Sequence, residues 1–250
     1  MTDLLTTATA DEIARAAPRF AVIPVGSFEQ HGPHLPVTTD TLIAQRLSHD
    51  LCAAAGGLLV APIGVTCSHE HASFAGSLSI SATTLARLVQ DLVASIESQG
   101  IGLTVLVNGH GGNHVLANVA QQLNASGPRV LLLPHRRQWE AACAQSGVES
   151  TVSADMHAGE IETSILLHAF PDVVRREAIR DHAAPDRGQL AWRGMRHYTA
   201  SGVIGFPSKA TARKGEALVT LLVQAMRAEV EEALAARDQS RPVTTPGASK

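Results

Sequence analysis

The sequence predicts an α/β fold in which a mostly parallel sheet is covered on both faces by helices. Short apolar runs rich in β-branched residues alternate along the chain with longer segments of helical periodicity, as in strand–helix–strand units. The apolar runs also lack a polar–apolar alternation. Continuous apolar runs indicate strands that are buried on both faces, which is the situation in a parallel sheet.

The strands and helices follow from this alternation in chain order. Four apolar runs are predicted to be strands: 20–26, 58–65, 103–109 and 129–134. Three intervening segments have helical apolar spacing and end in glycine, as helices often do: 41–56, 83–100 and 113–127. Residues 135–158 are expected to be irregular, and two further helices are predicted over 159–170 and 214–238.

Length and composition favour one domain. The chain has 250 residues, of which 45% are hydrophobic, and no linker rich in proline, glycine or serine divides it. A chain of this size can bury a large core as a single unit. We therefore predict one domain over residues 1–237 and a disordered tail over 238–250.

The charge pattern and the cysteines exclude several classes of function. A net charge of −3 with both signs spread along the chain predicts neither a nucleic-acid partner nor a membrane-binding face. Charged residues interrupt the first twenty positions, and no apolar run approaches the roughly 18 residues of a membrane span. Three widely spaced cysteines argue against a disulfide framework. The expectation is a soluble protein of the reducing cytoplasm.

The segment GSFEQHGPHLPVTTD, residues 26–40, brings Glu29, His31, His34 and Asp40 together directly after the first predicted strand. Carboxylate and imidazole are ligands that Zn²⁺, Mn²⁺ and Fe²⁺ prefer. Residues two apart on an extended segment point the same way, so Glu29 and His31 can bind one ion or two neighbouring ions. Taken alone, such a segment is more typical of a polar surface loop, and the metal site is favoured because of a second cluster farther along the chain.

A second cluster, NGHGGNH over residues 108–114, follows the third predicted strand. Ligands in open α/β sheets bind at the carboxyl ends of the strands, so His110 is expected to project toward the first cluster. Asn113 is predicted to cap the next helix. His114 is expected at the surface or behind the ligands. A phosphate-binding loop is disfavoured, because the P-loop lysine and the dinucleotide spacing are both missing.

A third cluster, DMHAGEIETS over residues 155–164, opens a predicted helix. Glu162 shares its face with apolar residues, and a buried carboxylate needs a cation or hydrogen bonds. Glu162 is therefore a candidate metal ligand or general base, the alternative being a partly exposed glutamate stabilised by the helix dipole. Glu160 points the opposite way and is expected to face solvent. His157 in the preceding loop is a candidate proton donor or shuttle.

A fourth stretch, SHEHASFAGSLS over residues 68–79, adds His69, Glu70 and His71. Spacing alone leaves two alternatives open for it, a pocket wall or a solvated loop. The neighbouring Cys67 is not expected to be a ligand, because a soft thiolate is unusual beside carboxylates and imidazoles.

Together these clusters resemble the creatininase family, also called creatinine amidohydrolases. The family signatures Glu-x-His-Gly-x-His-Leu-Pro-x-x-Thr-Asp, Asn-Gly-His-x-x-Asn and His-Ala-Gly-x-x-Glu-Thr-Ser all occur here in the expected order. The similarity extends over about residues 20–235. It implies a three-layer α/β/α sandwich, often assembled as a hexamer, with a dinuclear metal centre.

The resemblance also implies which residues hold the metal. Glu29 and His110 would hold one ion. His31 would hold the other, and Asp40 would bridge both. A mononuclear version would use the same four residues around a single ion.

The chain departs from creatininase itself at three positions. Gly112 stands where creatininase has a glutamate ligand of the second ion, so that site is weakened unless Glu162 completes it. Gly111 replaces a tyrosine, and Ser153 replaces a tryptophan of the substrate pocket. These losses argue against creatinine as the substrate.

The expected activity is hydrolysis of a non-standard or cyclic amide C–N bond by a metal-activated hydroxide. His157 would protonate the departing nitrogen, and Glu162 would bind metal or accept a proton from water. The expected cofactor is two divalent ions per chain, Zn, Mn or Fe. The substrate would be a small-molecule or peptide amide, and the protein a homo-oligomer.

Other functions remain open at this stage. Within the family, the alternatives are a creatininase-like peptidase of mycofactocin maturation and a formamide hydrolase acting on a flavin or deazaflavin precursor. A serine or cysteine hydrolase is the weaker enzymatic rival: Ser27 and Ser68 lie near histidines, but the chain has no nucleophile elbow. A non-catalytic metal- or ligand-binding subunit is the alternative outside enzymes.

Overall fold

The computed structural model describes residues 4–240. The strands of this part are β1 Phe20–Val25, β2 Leu58–Leu59, β3 Leu103–Asn108 and β4 Val130–Leu133. The first α-helices are α1 Ala10–Ala16, α2 Thr39–Ala55, α3 Ala82–Ser98 and α4 Val115–Leu123. The later ones are α5 Arg136–Ser146, α6 Glu160–Ala169, α7 Leu190–Arg193 and α8 Ala212–Ser240.

The four strands form one parallel sheet in the order β2-β1-β3-β4. Alternate side chains of β1 point to opposite faces: Phe20 and Val22 enter one apolar core, and Ala21 and Ile23 enter the other. The first core is closed by α2, α5, α6 and α8, and the second by α3 and α4. The sheet is therefore the middle layer of a three-layer α/β/α sandwich, as predicted.

The two central strands continue to opposite faces of the sheet. The chain leaves β1 toward α2 in the first core, whereas it leaves β3 toward α4 in the second core. Connections that diverge in this way open a crevice at the carboxyl ends of neighbouring strands, where ligands of α/β proteins commonly bind. The loops after β1 and β3, which contain the first two polar clusters, meet at this crevice.

The structure differs from the sequence prediction in several elements. The run 58–65 gives only the two-residue strand β2 and one isolated bridge from Ile63 to Val25. Three helices, α1, α5 and α7, were not predicted. Helix α5 lies in the segment 135–158 that was expected to be irregular. The sequence did not indicate this helix, because few of its residues are strongly apolar and its buried face includes the small residues Ala142 and Cys143. Helix α8 includes residues 238–240 of the predicted tail, and residues 241–250 lie outside the described part.

Two findings bear on the excluded classes of function. Cys52, Cys67 and Cys143 are free thiols, in agreement with the absence of a disulfide framework. Within residues 4–240, every helix is too short or too polar to span a bilayer.

Candidate metal centre

The crevice between β1 and β3 holds the three predicted clusters in contact. Helix α2 starts against the end of both strands because Gly26 and Gly109 have no side chains. A Cβ at residue 26 would lie 2.4 Å from the Cα of Thr41, and one at residue 109 would lie 2.4 Å from the carbonyl oxygen of Asp40. These two glycines thus bring the first turn of α2, with Asp40, to the loops that follow the strands.

Five of the predicted site residues form two overlapping groups of ligand atoms. Glu29, Asp40 and His110 form one group, and in each group the atoms lie within 4.8 Å of one another. The second group, on the same criterion, is His31, Asp40 and Glu162. Asp40 joins the two groups, since its Oδ1 lies 3.0 Å from His31 Nε2 and its Oδ2 lies 3.0 Å from His110 Nδ1. A carboxylate in this position is suited to bridge two ions.

Backbone carbonyls fix which nitrogen each histidine presents to the crevice. A carbonyl oxygen only accepts hydrogen bonds, so the ring nitrogen facing it must be the donor. His31 Nδ1 donates to Glu29 O (3.1 Å), His110 Nε2 to Cys67 O (2.9 Å) and His157 Nε2 to Gln30 O (2.6 Å). Metal-binding histidines usually donate their second N–H in this way. When the rings are neutral, the lone pairs of His31 Nε2, His110 Nδ1 and His157 Nδ1 are therefore left for the crevice.

Glu29 gives the clearest indication that a cation belongs here. Its side chain is fully buried, and neither carboxylate oxygen has a hydrogen-bond partner among the described residues. Burial raises the pKa of this carboxyl to about 7, against the opposing charge of His110. A buried carboxylate without hydrogen bonds is costly unless a positive charge compensates it. The donor set of carboxylates and imidazoles fits a divalent ion such as Zn²⁺ or Mn²⁺.

Protons compensate the carboxylates when no ion is bound. Burial lowers the pKa of His31, but the charges of Asp40 and Glu162 outweigh burial and raise it to about 10. For His110, Glu29 and Asp40 outweigh burial in the same way and raise the pKa to about 9. Burial opposes the ionisation of Asp40, yet the two imidazolium rings hold its pKa well below the usual range. Each group of ligands therefore contains one imidazolium.

The third cluster reaches the centre through the start of α6. Glu162 Oε2 lies 3.8 Å from His31 Nε2 and accepts the N–H of Ala158 at 2.6 Å. Ala158 has a positive φ of 52°, which turns the chain between His157 and the helix. The side chain of Glu162 is one-fifth exposed, and burial raises its pKa to about 8. Glu162 is thus the most solvent-accessible residue of the two groups.

Comparison with known proteins identifies the family of the chain. Residues 4–230 match the family model described as "Creatininase: Creatinine amidohydrolase". The chain belongs to the creatininase family. It is 36% identical over 233 residues to a mycofactocin precursor peptide peptidase of Mycobacterium ulcerans, covering 88% of this chain and 87% of that protein. It is 25% identical over 230 residues to a creatinine amidohydrolase of Pseudomonas putida, covering 84% and 88% respectively.

A solved structure described as "Creatininase Mn" has the same fold. Its TM-score is 0.78 at 24% sequence identity, and the alignment covers 90% of this chain and 96% of that one. Membership of the creatininase family makes the protein a hydrolase, and the two ligand groups described above lie at the expected edge of its sheet.

Two expectations for this creatininase-family chain are wrong. Glu160 was expected to face solvent, but it is fully buried. Its carboxylate accepts the backbone N–H groups of Glu149 and Ser150 and the ammonium of Lys214 at 2.6 Å. Asn113 does not cap α4: its side chain donates to Asn108 Oδ1 at 3.0 Å and so ties the loop after β3 together.

Other candidates lie outside the two groups. His114 is exposed, as predicted. The Nε2 atom of His34 lies 3.0 Å from Thr163 Oγ1, and His34 belongs to neither ligand group. Ser27 does not resemble a nucleophile, because its hydroxyl is fully buried and donates to Asp40 Oδ2 at 2.7 Å. Ser68 is also buried, and its hydroxyl has no partner in the described part of the chain.

Two residues of the centre were missed or left open by sequence reasoning. Gln30 lies between two histidines, with Nε2 3.0 Å from His71 Nδ1 and 3.1 Å from His157 Nε2. His71 is only 2% exposed, and its Nε2 lies 3.3 Å from Glu29 Oε1. Strand alternation between Glu29 and His31 was the available signal for Gln30, since it directs residue 30 to the opposite side of the segment.

We expect metal binding to release more than two protons at neutral pH, because ligating imidazoles must be neutral and ligating carboxylates ionised. The pKa values of His31 and His110 are raised to about 10 and about 9, so each ring releases one proton at pH 7. Glu29 and Glu162, with pKa values of about 7 and about 8, add to this number. Affinity should therefore rise with pH up to about pH 10. Calorimetry of Zn²⁺ binding in buffers of different ionisation enthalpy measures the number released. A value near zero at pH 7 would contradict this protonation scheme.

Proposed function

We propose that this creatininase-family protein hydrolyses an amide C–N bond at a centre of two divalent ions per chain, Zn, Mn or Fe. The observation that carries the proposal is the pair of ligand groups sharing Asp40, beside a buried Glu29 that has no hydrogen bond from any described residue. Glu29, Asp40 and His110 would hold one ion. His31, Asp40 and Glu162 would hold the other, so that Glu162 supplies the carboxylate that Gly112 lacks.

The bound ions would supply Lewis acidity, which lowers the pKa of water and polarises the amide carbonyl. Asp40 sets the spacing between the two ligand groups through its two oxygens. His31 and His110 are held in orientation by the carbonyls of Glu29 and Cys67, so little reorganisation is needed when substrate binds. Because Glu162 is one-fifth exposed and the other ligand residues are buried, we propose that substrate enters on the side of Glu162.

His157 is proposed to move the proton. Burial, together with the nearby His31 and His71, holds its pKa well below the ordinary value, so the ring is neutral. Because Nε2 donates to Gln30 O, the lone pair is on Nδ1, 3.8 Å from Glu29 Oε1. His157 therefore first accepts a proton at Nδ1 and then delivers it to the departing nitrogen. This order of events corresponds to the proton shuttle, one of the two roles expected for His157 from the sequence.

A peptide amide is the proposed substrate. The sequence identity of 36% to a mycofactocin precursor peptide peptidase supports a peptide substrate, whereas Gly111 and Ser153 stand where creatininase has side chains of the creatinine pocket. We therefore favour a mycofactocin-type peptidase over a small cyclic amide. We further propose, by resemblance, that the protein is cytoplasmic and forms a homo-oligomer of six chains. Light scattering after size-exclusion chromatography measures the number of chains.

The proposal is tested by elemental analysis of protein purified without chelator, combined with hydrolysis assays. We expect about two ions per chain in the wild type and about one in Glu162→Gln, because the amide is a much poorer ligand than the carboxylate. A mycofactocin precursor peptide should be cleaved by the metal-loaded protein, not after chelation, and again after Zn²⁺ or Mn²⁺ is restored. Two ions in Glu162→Gln would assign Glu162 as a base instead of a ligand.

Failure of hydrolysis with two ions bound, on the peptide and on other amides, would overturn the proposed amide hydrolysis. His114→Gln is the matched control for these measurements. His114 is exposed and belongs to neither ligand group, so its replacement should leave both metal content and hydrolysis unchanged.

A further inference from the structure

The 3₁₀ helix His69–His71, called here the outer turn, lies beside the Glu29–Asp40–His110 group of ligands. It makes no ion pair with the His31–Asp40–Glu162 group. His71 Nε2 lies 3.3 Å from Glu29 Oε1. Glu70 Oε1 lies 3.7 Å from His110 Nε2. His69 has its ring at the surface, with Nδ1 3.1 Å from Ser79 Oγ. The outer turn thus faces two of the three residues in the Glu29–Asp40–His110 group.

The orientation of Gln30 determines where His71 carries its proton. Gln30 Oε1 accepts the N–H of Gly32 at 2.9 Å, and Nε2 lies 3.2 Å from the carbonyl oxygen of Gly202. The amide nitrogen is therefore the atom 3.0 Å from His71 Nδ1, so it donates to that nitrogen. The remaining N–H of the neutral ring is at Nε2, directed to the side of Glu29. The buried Glu29 carboxylate therefore has the N–H group of His71 as a neighbour, 3.3 Å from Oε1.

Gly112 makes room for Glu70. A Cβ at residue 112 would lie 2.3 Å from Glu70 Oε1 and 2.3 Å from His110 Nε2, so any side chain there would displace both. The φ of Gly112 is not in the left-handed region, and backbone conformation does not account for the glycine. The adjacent Gly111 has no atom within 4 Å of the corresponding position. Space for the carboxylate beside His110 is thus the physical reason for glycine at 112.

The position of Glu70 suits an outer partner of a metal ligand. His110 Nε2 is the nitrogen that donates to Cys67 O, and Nδ1 is the one left for the ion. A negative charge on the Nε2 side raises the basicity of the imidazole, so that Nδ1 binds a metal ion more strongly. The same charge opposes rotation of the ring. Glu70 is too far from Nε2 for a hydrogen bond, so its effect is electrostatic.

We propose that the outer turn is the positioning element of the Glu29–Asp40–His110 ion site, with His71 acting on Glu29 and Glu70 acting on His110. The inference rests on the two-ion centre proposed above and makes the two ions unequal. Loss of either side chain lowers the affinity of the Glu29–Asp40–His110 site for its ion. The side chains of His31 and Glu162 make no ion pair with the outer turn, so an ion held by them would keep its affinity.

The test is titration of the chelator-stripped, full-length protein with Zn²⁺ by calorimetry. Glu70→Gln removes the charge and His71→Phe removes the N–H while keeping a ring. Each should weaken one of the two sites by about 10- to 100-fold and leave the other unchanged. Gly112→Ala should weaken the same site, because its Cβ displaces Glu70 and His110. Activity of Glu70→Gln should recover as Zn²⁺ is raised.

Two controls separate this effect from a general loss of structure. His69→Gln lies in the same outer turn, and Gly111→Ala lies in the same loop, and both should bind Zn²⁺ like the wild type. Wild-type affinity at both sites in Glu70→Gln and His71→Phe would overturn the proposal, and so would equal weakening of both sites. A wild type that binds fewer than two ions would instead overturn the two-ion centre itself.

Discussion

Replacing Asp40 with asparagine is expected to remove at least one ion and to lower kcat/KM by about 10³-fold, while the fold is kept. Asp40 is 1% exposed, and its two oxygens face His31 Nε2 and His110 Nδ1, each at 3.0 Å. Asparagine has one oxygen and one NH₂ group. One of the two ligand groups therefore loses its anionic oxygen and gains a donor where a metal would bind.

Elemental analysis and steady-state kinetics measure both effects, and circular dichroism reports whether the fold is kept. Ser27→Ala removes only the 2.7 Å hydrogen bond to Asp40 Oδ2 and should cost about 10- to 100-fold in metal affinity. Asp50→Asn is the matched control, because Asp50 lies on the same helix and pairs with Arg46 near the surface. Full metal content together with wild-type activity in Asp40→Asn would exclude the bridging role.

The central strands and the ligand residues could be predicted because both depend on local sequence. The boundaries of β1 and β3 agree with the predicted runs to within one residue at each end. Parallel order then brings the loops after both strands to one edge, which places Glu29, His31 and His110 together without knowledge of the packing. The position of Asp40 is set by the start of α2. This helix begins at Thr39, two residues before the predicted position.

The residues that the sequence did not assign depend on contacts between distant segments. Periodicity gives the direction of Glu160 relative to its own helix, but not the segment that covers it. Lys214 is 54 residues away and neutralises its charge in the buried position. His71 is similar, since its place in the centre depends on Gln30, which is 41 residues away. Hydrophobic periodicity contains no information about either contact.

His157→Gln is expected to lower kcat by about 10²- to 10⁴-fold, the range typical of a lost acid–base group, without changing metal content. Glutamine can still donate a hydrogen bond to Gln30 O, so the local backbone should be retained. It cannot take up a proton as Nδ1 does. KM should change much less than kcat, because the proposed role of His157 is proton transfer and not substrate binding.

The same variant separates two roles that the geometry allows. The ligand atoms of Glu29, His31 and His157 also lie within 4.8 Å of one another, so His157 Nδ1 could coordinate an ion. The ring centroid of His157 lies 4.1 Å from that of His31, which brings the lone pair of Nδ1 close to the centre. Loss of an ion in His157→Gln would assign it as a ligand and contradict the proton-transfer role. Two retained ions with a low kcat leave proton transfer as the step that His157 performs.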